Sequence, residues 1–246
     1  MNTQRLFALL KMELKKIIRE PAYLFLMFLF PAVLTIIFGF TFSDPELGMS
    51  FSAMAPGLFA YACIFIIMIV AQSFSDEREQ GLLRRLSITP MKASDFMLSQ
   101  ILSNMIIAML QVLIVFILAQ LFDFRPQADI LGILLAILLM AIFSLSSVGL
   151  GLITATIAKS AGVATGLSFL FILPQMFLGT FIPVTSNTRM LAIFLPSYYV
   201  TDALTSIFNG DSLLSKNIMI DIAFVSIVSI VIVIIGIQIF KKFGNK

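Results

Sequence analysis

The chain has 246 residues, of which 60% are hydrophobic and only 12% charged, and its mean hydropathy is +1.07. Too little polar surface remains to clothe a soluble domain of this size, so the composition is that of an integral membrane protein. The net charge of +3 is small, the single cysteine (Cys63) excludes an intrachain disulfide, and there is no histidine or tryptophan.

Residues 3–20 precede the first long apolar run. Leu6, Leu10, Leu14 and Ile17 recur at helical spacing with Phe7 and Ile18 beside them, while lysines and arginines take the other face. That pattern predicts an amphipathic helix lying in the membrane interface. Pro21 marks the turn into the next segment. Six runs then approach the roughly 20 apolar residues that a bilayer-crossing helix needs: about 22–42, 55–75, 96–122, 130–158, 162–183 and 218–240. The first run is too long for a signal-peptide core and lacks a clear cleavage site, so it is expected to be retained. Residues 1–21, 22–240 and the basic tail 241–246 are read as parts of one transmembrane domain.

Basic residues set the expected orientation. The N-terminal stretch holds Arg5, Lys11, Lys15, Lys16 and Arg19; loop 2–3 holds Arg78, Arg84, Arg85 and Lys92; loop 4–5 holds Lys159; and the tail holds Lys241, Lys242 and Lys246. The opposite loops hold only Arg125, Arg189 and Lys216. The positive-inside rule predicts both termini and loop 2–3 in the cytoplasm. Loop 5–6 contains two short pieces, Met190–Leu195 and a segment from Pro196, too short to cross, which are expected to dip into the outer leaflet or lie on it.

Several chemistries are absent. No Asp, Glu, Lys or Arg falls near the middle of any run, which disfavours a proton- or ion-coupled pump. The Gly166–Leu170 stretch offers a Gly-x-Ser, but no histidine exists to activate a serine. No HExxH, intramembrane aspartate pair or GxxxxGK[ST] loop is found. The chain is therefore expected to be no enzyme and to bind no cofactor, and a separate chain would supply the energy for any uphill work.

The densest charge lies in residues 73–95, SFSDEREQGLLRRLSITPMKASD. Asp76, Glu77 and Glu79 come first and Arg84 and Arg85 later, an order that suits the helix dipole. Leu82, Leu83 and Leu86 share one face. Gly81 fits a bend where the second span ends, Thr89-Pro90 stops the segment, and Ser94 or Asp95 can cap span 3. A short amphipathic surface helix over 76–90 is expected, either a simple cap on two spans or a docking knob for a cytoplasmic partner.

The stretch DEREQGLLRRLSITPM resembles the E-R-E-x-G-T-L-E-R-L-x-x-T-P-x segment of ABC transporter permeases of the type-2 export class. It matches at Glu77, Arg78, Glu79, Gly81, Leu83, Arg85, Leu86, Thr89 and Pro90, and departs at Leu82 and Arg84, where Thr and Glu are common. A second stretch, FLGTFIPVTSNTRMLAIFLPSYYVTDAL, is similar to the family's region after span 5, through Gly179, Pro183, Pro196, Tyr198, Tyr199 and Asp202. With the six spans and the N-terminal helix, the likeness covers essentially the whole chain.

The resemblance implies an all-α membrane subunit of an ATP-driven exporter in a bacterial-type cell membrane. Residues 77–79 and 81–86 would form the coupling helix that docks on an ABC ATPase, and the region after span 5 would form outer re-entrant helices. Two ATPase copies carrying ATP and Mg, and a second permease, identical or related, would be partners; no nucleic acid is expected. The family's pathway between two permeases draws attention to Pro31 and Thr35 in span 1 and Pro174 and Gln175 in span 5. Gln111 is read instead as a helix–helix bond, and the Gly162/Gly166 and Ser147/Gly151 pairs as packing within the subunit. Apolar walls suit a hydrophobic or amphipathic cargo such as a drug, lipid or peptide. The competing readings are an ATP-independent secondary transporter and a non-transport immunity or assembly factor.

Overall fold

The computed structural model describes residues 3–42, 50–81, 93–182 and 185–243. These form nine α-helices and one π-helical turn, with no strand among the described residues. In chain order they are α1 (Thr3–Arg19), α2 (Pro21–Thr41), α3 (Phe51–Glu79), α4 (Ala93–Leu121), α5 (Ile130–Ile157), α6 (Ala161–Met176), the π turn (Phe177–Phe181), α7 (Ser186–Ala192), α8 (Pro196–Phe208) and α9 (Lys216–Phe243). Six stretches are long and apolar enough to span a membrane: Leu24–Thr41, Phe51–Glu79, Asp95–Leu121, Ile130–Ile157, Ala161–Phe181 and Lys216–Phe240.

Helix α3 is the centre of the bundle, in contact with α2, α4, α5, α6 and α8. Its small residues Ala55, Ala60, Ala62 and Ala71 are fully buried and let neighbouring backbones come close. Gly151 of α5 is one such approach: a Cβ there would sit 2.7 Å from the Ile67 carbonyl. Gly162 and Gly166 behave otherwise, since nothing lies within 4 Å of a Cβ built on either. The small-residue stripe on α6 is thus not used for packing within the chain, which corrects the expectation for that pair.

The outward faces of α2, α6 and α9 carry Phe25, Phe30, Leu170 and Ile227 in the open, as lipid-facing surfaces do. Polar residues inside the spans mostly bond their own helix. Ser144, Thr154, Thr156 and Ser168 donate to carbonyls three or four residues back.

One end of the bundle gathers α1, the last turn of α3, the α5–α6 junction and the end of α9, where Phe240 packs against Phe74 and Phe96. This is the basic end. At the opposite end α8 is inserted among α3, α5 and α9, with Val200, Ala203, Leu204 and Ile207 fully buried. It buries one face in the bundle and leaves Asp202 on its other face exposed.

Candidate functional site: the basic-end joint and the opposite cavity

The acids of the 73–95 stretch lie where the backbone continues α3. The Gln80 N–H bonds the Asp76 carbonyl at 2.9 Å and Gly81 N–H bonds the Arg78 carbonyl at 3.0 Å. Gly81 has φ +72°, the left-handed conformation that ends helices at the residue after the cap. Asp76, Glu77 and Glu79 thus form the last turn of the second span and do not open a separate helix, which corrects the expected register. Acids at a helix C-terminus oppose the helix dipole, and two of these three find compensation elsewhere.

Three consecutive side chains reach three different places. Glu77 is buried; its Oε1 accepts from Lys16 Nζ of α1 at 2.5 Å, and its Oε2 accepts from Gln100 Nε2 of α4 at 3.1 Å. The Gln100 side chain is itself oriented by Asn104, whose Nδ2 donates to Gln100 Oε1 at 3.4 Å as well as to the Gln100 backbone carbonyl at 2.8 Å. Arg78 donates to the Thr156 carbonyl at 2.9 Å and to the Ala158 carbonyl, taking up acceptors that the end of α5 leaves free. Glu79 Oε1 accepts the Ala161 N–H at 2.6 Å, placing a carboxylate on the first turn of α6. Glu77, Arg78 and Glu79 therefore fasten the end of α3 to α1, α4, α5 and α6.

Glu13 of α1 was not foreseen. It is buried beside Glu77, and its Oε1 has no partner among the described residues. Burial is the main cause that pushes its carboxyl up to about 7; the Glu77 charge adds to the rise, and Lys16 and a hydrogen bond with Gln100 oppose it. The signal was present, because Glu13 falls on the Leu6–Leu10–Ile17 stripe where an apolar residue belongs. Lys16 also turns toward the protein, unlike the other α1 cations assigned to the outer face.

Leu82, Leu83, Arg84, Arg85, Leu86, Thr89 and Pro90 lie outside the described residues. So does Pro183. Ser94 and Asp95 are already within the first turn of α4.

The four pathway residues take other places. Pro31 lacks the N–H that would bond the Met27 carbonyl, and Gln111 Nε2 of α4 fills that vacancy at 2.9 Å. Gln111 is thus the helix–helix tie expected of it. Thr35 is buried and donates to the Pro31 carbonyl at 2.8 Å. Pro174 breaks the regular ladder of α6, and the π turn follows, closed by Ile182 N–H on the Phe177 carbonyl at 2.9 Å. Gln175 is buried, donates to the Phe171 carbonyl at 3.3 Å, and has a carbonyl that accepts from Ser197 Oγ of α8 at 3.1 Å.

The opposite end holds a cavity of about 480 Å³ that brings Gly179, Tyr198 and Asp202 together with Thr180, Arg189 and Thr201. Partial burial holds the Asp202 carboxyl above its ordinary value, with Arg189 acting the other way. Pro196 starts α8, and Tyr199 stacks on Phe224 of α9 with ring centroids 3.9 Å apart. A second cavity, of about 470 Å³ and lined only by apolar side chains, lies between α4 and α5 over Phe59. Among the described residues no cluster of three or more Cys, Asp or Glu could hold a metal.

Comparison with known proteins places this architecture. No curated protein matches the chain. A short match to the description Phage major coat protein, Gp8 covers residues 196–246, which comprise α8, α9 and the tail. A far longer one, to ABC-2 type transporter, spans residues 4–209, from α1 through the end of α8. It takes in the joint, five of the six spans and the opposite-end cavity, so the chain belongs to the ABC-2 type transporter family and is a multi-pass transporter permease subunit.

Proposed function

We propose that this chain is the membrane subunit of an ATP-driven exporter, with the basic end in the cytoplasm of a cell membrane. Two permease subunits, identical or related, pair and bind two ABC ATPase subunits, which carry the ATP and Mg; this chain hydrolyses nothing. The segment 82–90 docks on the ATPase, and its Leu face buries in a groove there. The cargo is hydrophobic or amphipathic, in keeping with spans that hold no Asp, Glu, Lys or Arg at mid-membrane.

The observation that carries this reading is the joint at Glu77, Arg78 and Glu79. A segment that only capped two spans needs no ties to other helices. Here the three residues before Gln80-Gly81 grip four helices, so a push on 82–90 would be shared by most of the bundle. The open Gly162/Gly166 stripe and the exposed apolar face of α2 support a pairing surface for a second permease.

The test is a mild-detergent pull-down of the tagged chain from its native membrane. A stoichiometric P-loop ATPase is expected to co-purify and to be lost when Leu82, Leu83 and Leu86 are changed to Asp. A stable chain that purifies without an ATPase overturns the reading and favours an ATP-independent carrier.

A further inference from the structure

Two carboxyl groups, Glu13 and Glu77, are buried where α1 packs on α4 at the end of α3, at 3% and 2% exposure, and among the described residues Lys16 is the cation that acts on both. Glu77 takes the better share: the Lys16 ammonium on one oxygen and the Gln100 amide on the other. Gln100 also acts on Glu13 by hydrogen bonding, but Glu13 Oε1 has no partner among the described residues. A second buried negative charge there would be poorly compensated, and an unpaired buried carboxylate takes up a proton before it accepts that cost.

Among the described residues the charges around Glu13 come from α1 and its end, where Lys15, Arg19 and Glu20 line the same cavity, and from α3. Lys16 lies one turn along α1 and Glu77 on α3. α4, which packs along α1, offers the uncharged Gln100 and Asn104, its charged residue among those described being Asp95 near its start. Residues 21–41 of α2 contain no charged side chain. An open cavity of about 470 Å³ gives water a route to the group; its lining includes Glu13, Glu20 and Glu77 and the cations Lys15, Lys16 and Arg19, of which Lys16 is the one that bears on the Glu13 carboxyl.

We propose that Glu13 is a proton-operated latch: with its carboxyl protonated, α1 stays docked on α3 and α4, and loss of that proton to water at the basic end loosens α1 from the Glu77 joint. The docked carboxyl is raised from 4.5 to about 7, so docking takes up a proton. A raised acid makes docking strongest below 4.5 and progressively weaker as pH climbs through about 7. Between pH 6 and pH 8 the docking constant falls about tenfold. The latch stands without any ATPase; that it would tune ATP-driven coupling rests on the reading given above.

The experiment uses the full chain in phosphatidylcholine nanodiscs, whose headgroups do not titrate in this range. Nitroxide labels are placed at Lys11→Cys on α1 and Ile157→Cys at the end of α5, in a Cys63→Ala background, and the distance distribution is read from pH 5.5 to 8.5. A single short distance in acid is expected, with a longer population growing about tenfold relative to it by pH 8. Glu13→Gln, which keeps the shape of the protonated acid, is expected to stay short throughout. A flat wild-type profile, a profile that tightens as pH rises, or the same pH response in Glu13→Gln each overturns the latch. A flat profile with intact ATPase capture would remove the latch alone; lost capture with a normal profile would remove the coupling reading alone.

Discussion

Gly179 shows how little room single positions leave. A Cβ on Gly179 would lie 1.9 Å from Ser197 Oγ and 3.0 Å from the Tyr198 nitrogen. The hydroxyl cannot simply swing away, because it donates to the Gln175 carbonyl. Gly179→Ala is therefore expected to cost about 1–3 kcal/mol by overpacking, read as a lowered melting temperature in detergent. Gly179→Ala with Ser197→Ala should cost less than the two changes added together, and strict additivity would contradict the contact. Gly179 could be singled out in the sequence by resemblance, but its reason could not. The crowding comes from α8, eighteen residues further on, and no local pattern encodes it. Gly81 differs: a Gly placed after a charged turn was legible as a bend, and only its role as a helix stop needed coordinates.

At the level of elements, the spans were legible because bilayer thickness and hydropathy fix them almost alone. The end of α3 was not, because charge patterning suggested a fresh helix where hydrogen bonding carries the old one on to Glu79. The acids there are tolerated through Lys16, Gln100 and the start of α6, partners that lie 61, 23 and 82 residues away. Pro31 and Gln111 make the same point between α2 and α4. Each was visible as an oddity in an apolar run, yet only their pairing through the Met27 carbonyl explains both. Gln111→Leu should cost about 0.6–1.7 kcal/mol. In a Pro31→Ala background, where the helix can bond that carbonyl itself, the loss should largely vanish. An equal loss in both backgrounds, followed by thermal unfolding, would show that Gln111 acts elsewhere.

For the whole molecule, the contacts agree with the side-by-side assignments drawn from lysine and arginine counts. Lys16, Arg78 and the residues around Lys159 meet at one end, as an even number of crossings requires. Which end faces the cytoplasm is a matter for labelling. In intact cells, in a Cys63→Ala background, an impermeant maleimide is expected to modify Leu214→Cys at once and Lys11→Cys only after permeabilisation; the reverse order would invert the topology. Fold class came through from composition because a membrane chain must satisfy its backbone within helices. The interior joint did not, since polar residues at helix ends look the same in sequence whether they meet water or one another.

The central helix has a mechanical consequence. From Glu77 to Gly57 it runs twenty residues, about 30 Å at 1.5 Å per residue. At the near end it is bolted to four neighbours; at the far end a Cβ on Gly57 would sit 2.6 Å from the Thr180 carbonyl in the π turn. Between these points lies no proline or glycine, and the helix is walled in on nearly every side. It is built as a push rod. A displacement that reached the joint would meet no helix-breaking residue before the irregular turn beside the far cavity, where the backbone of span 5 already departs from a regular helix.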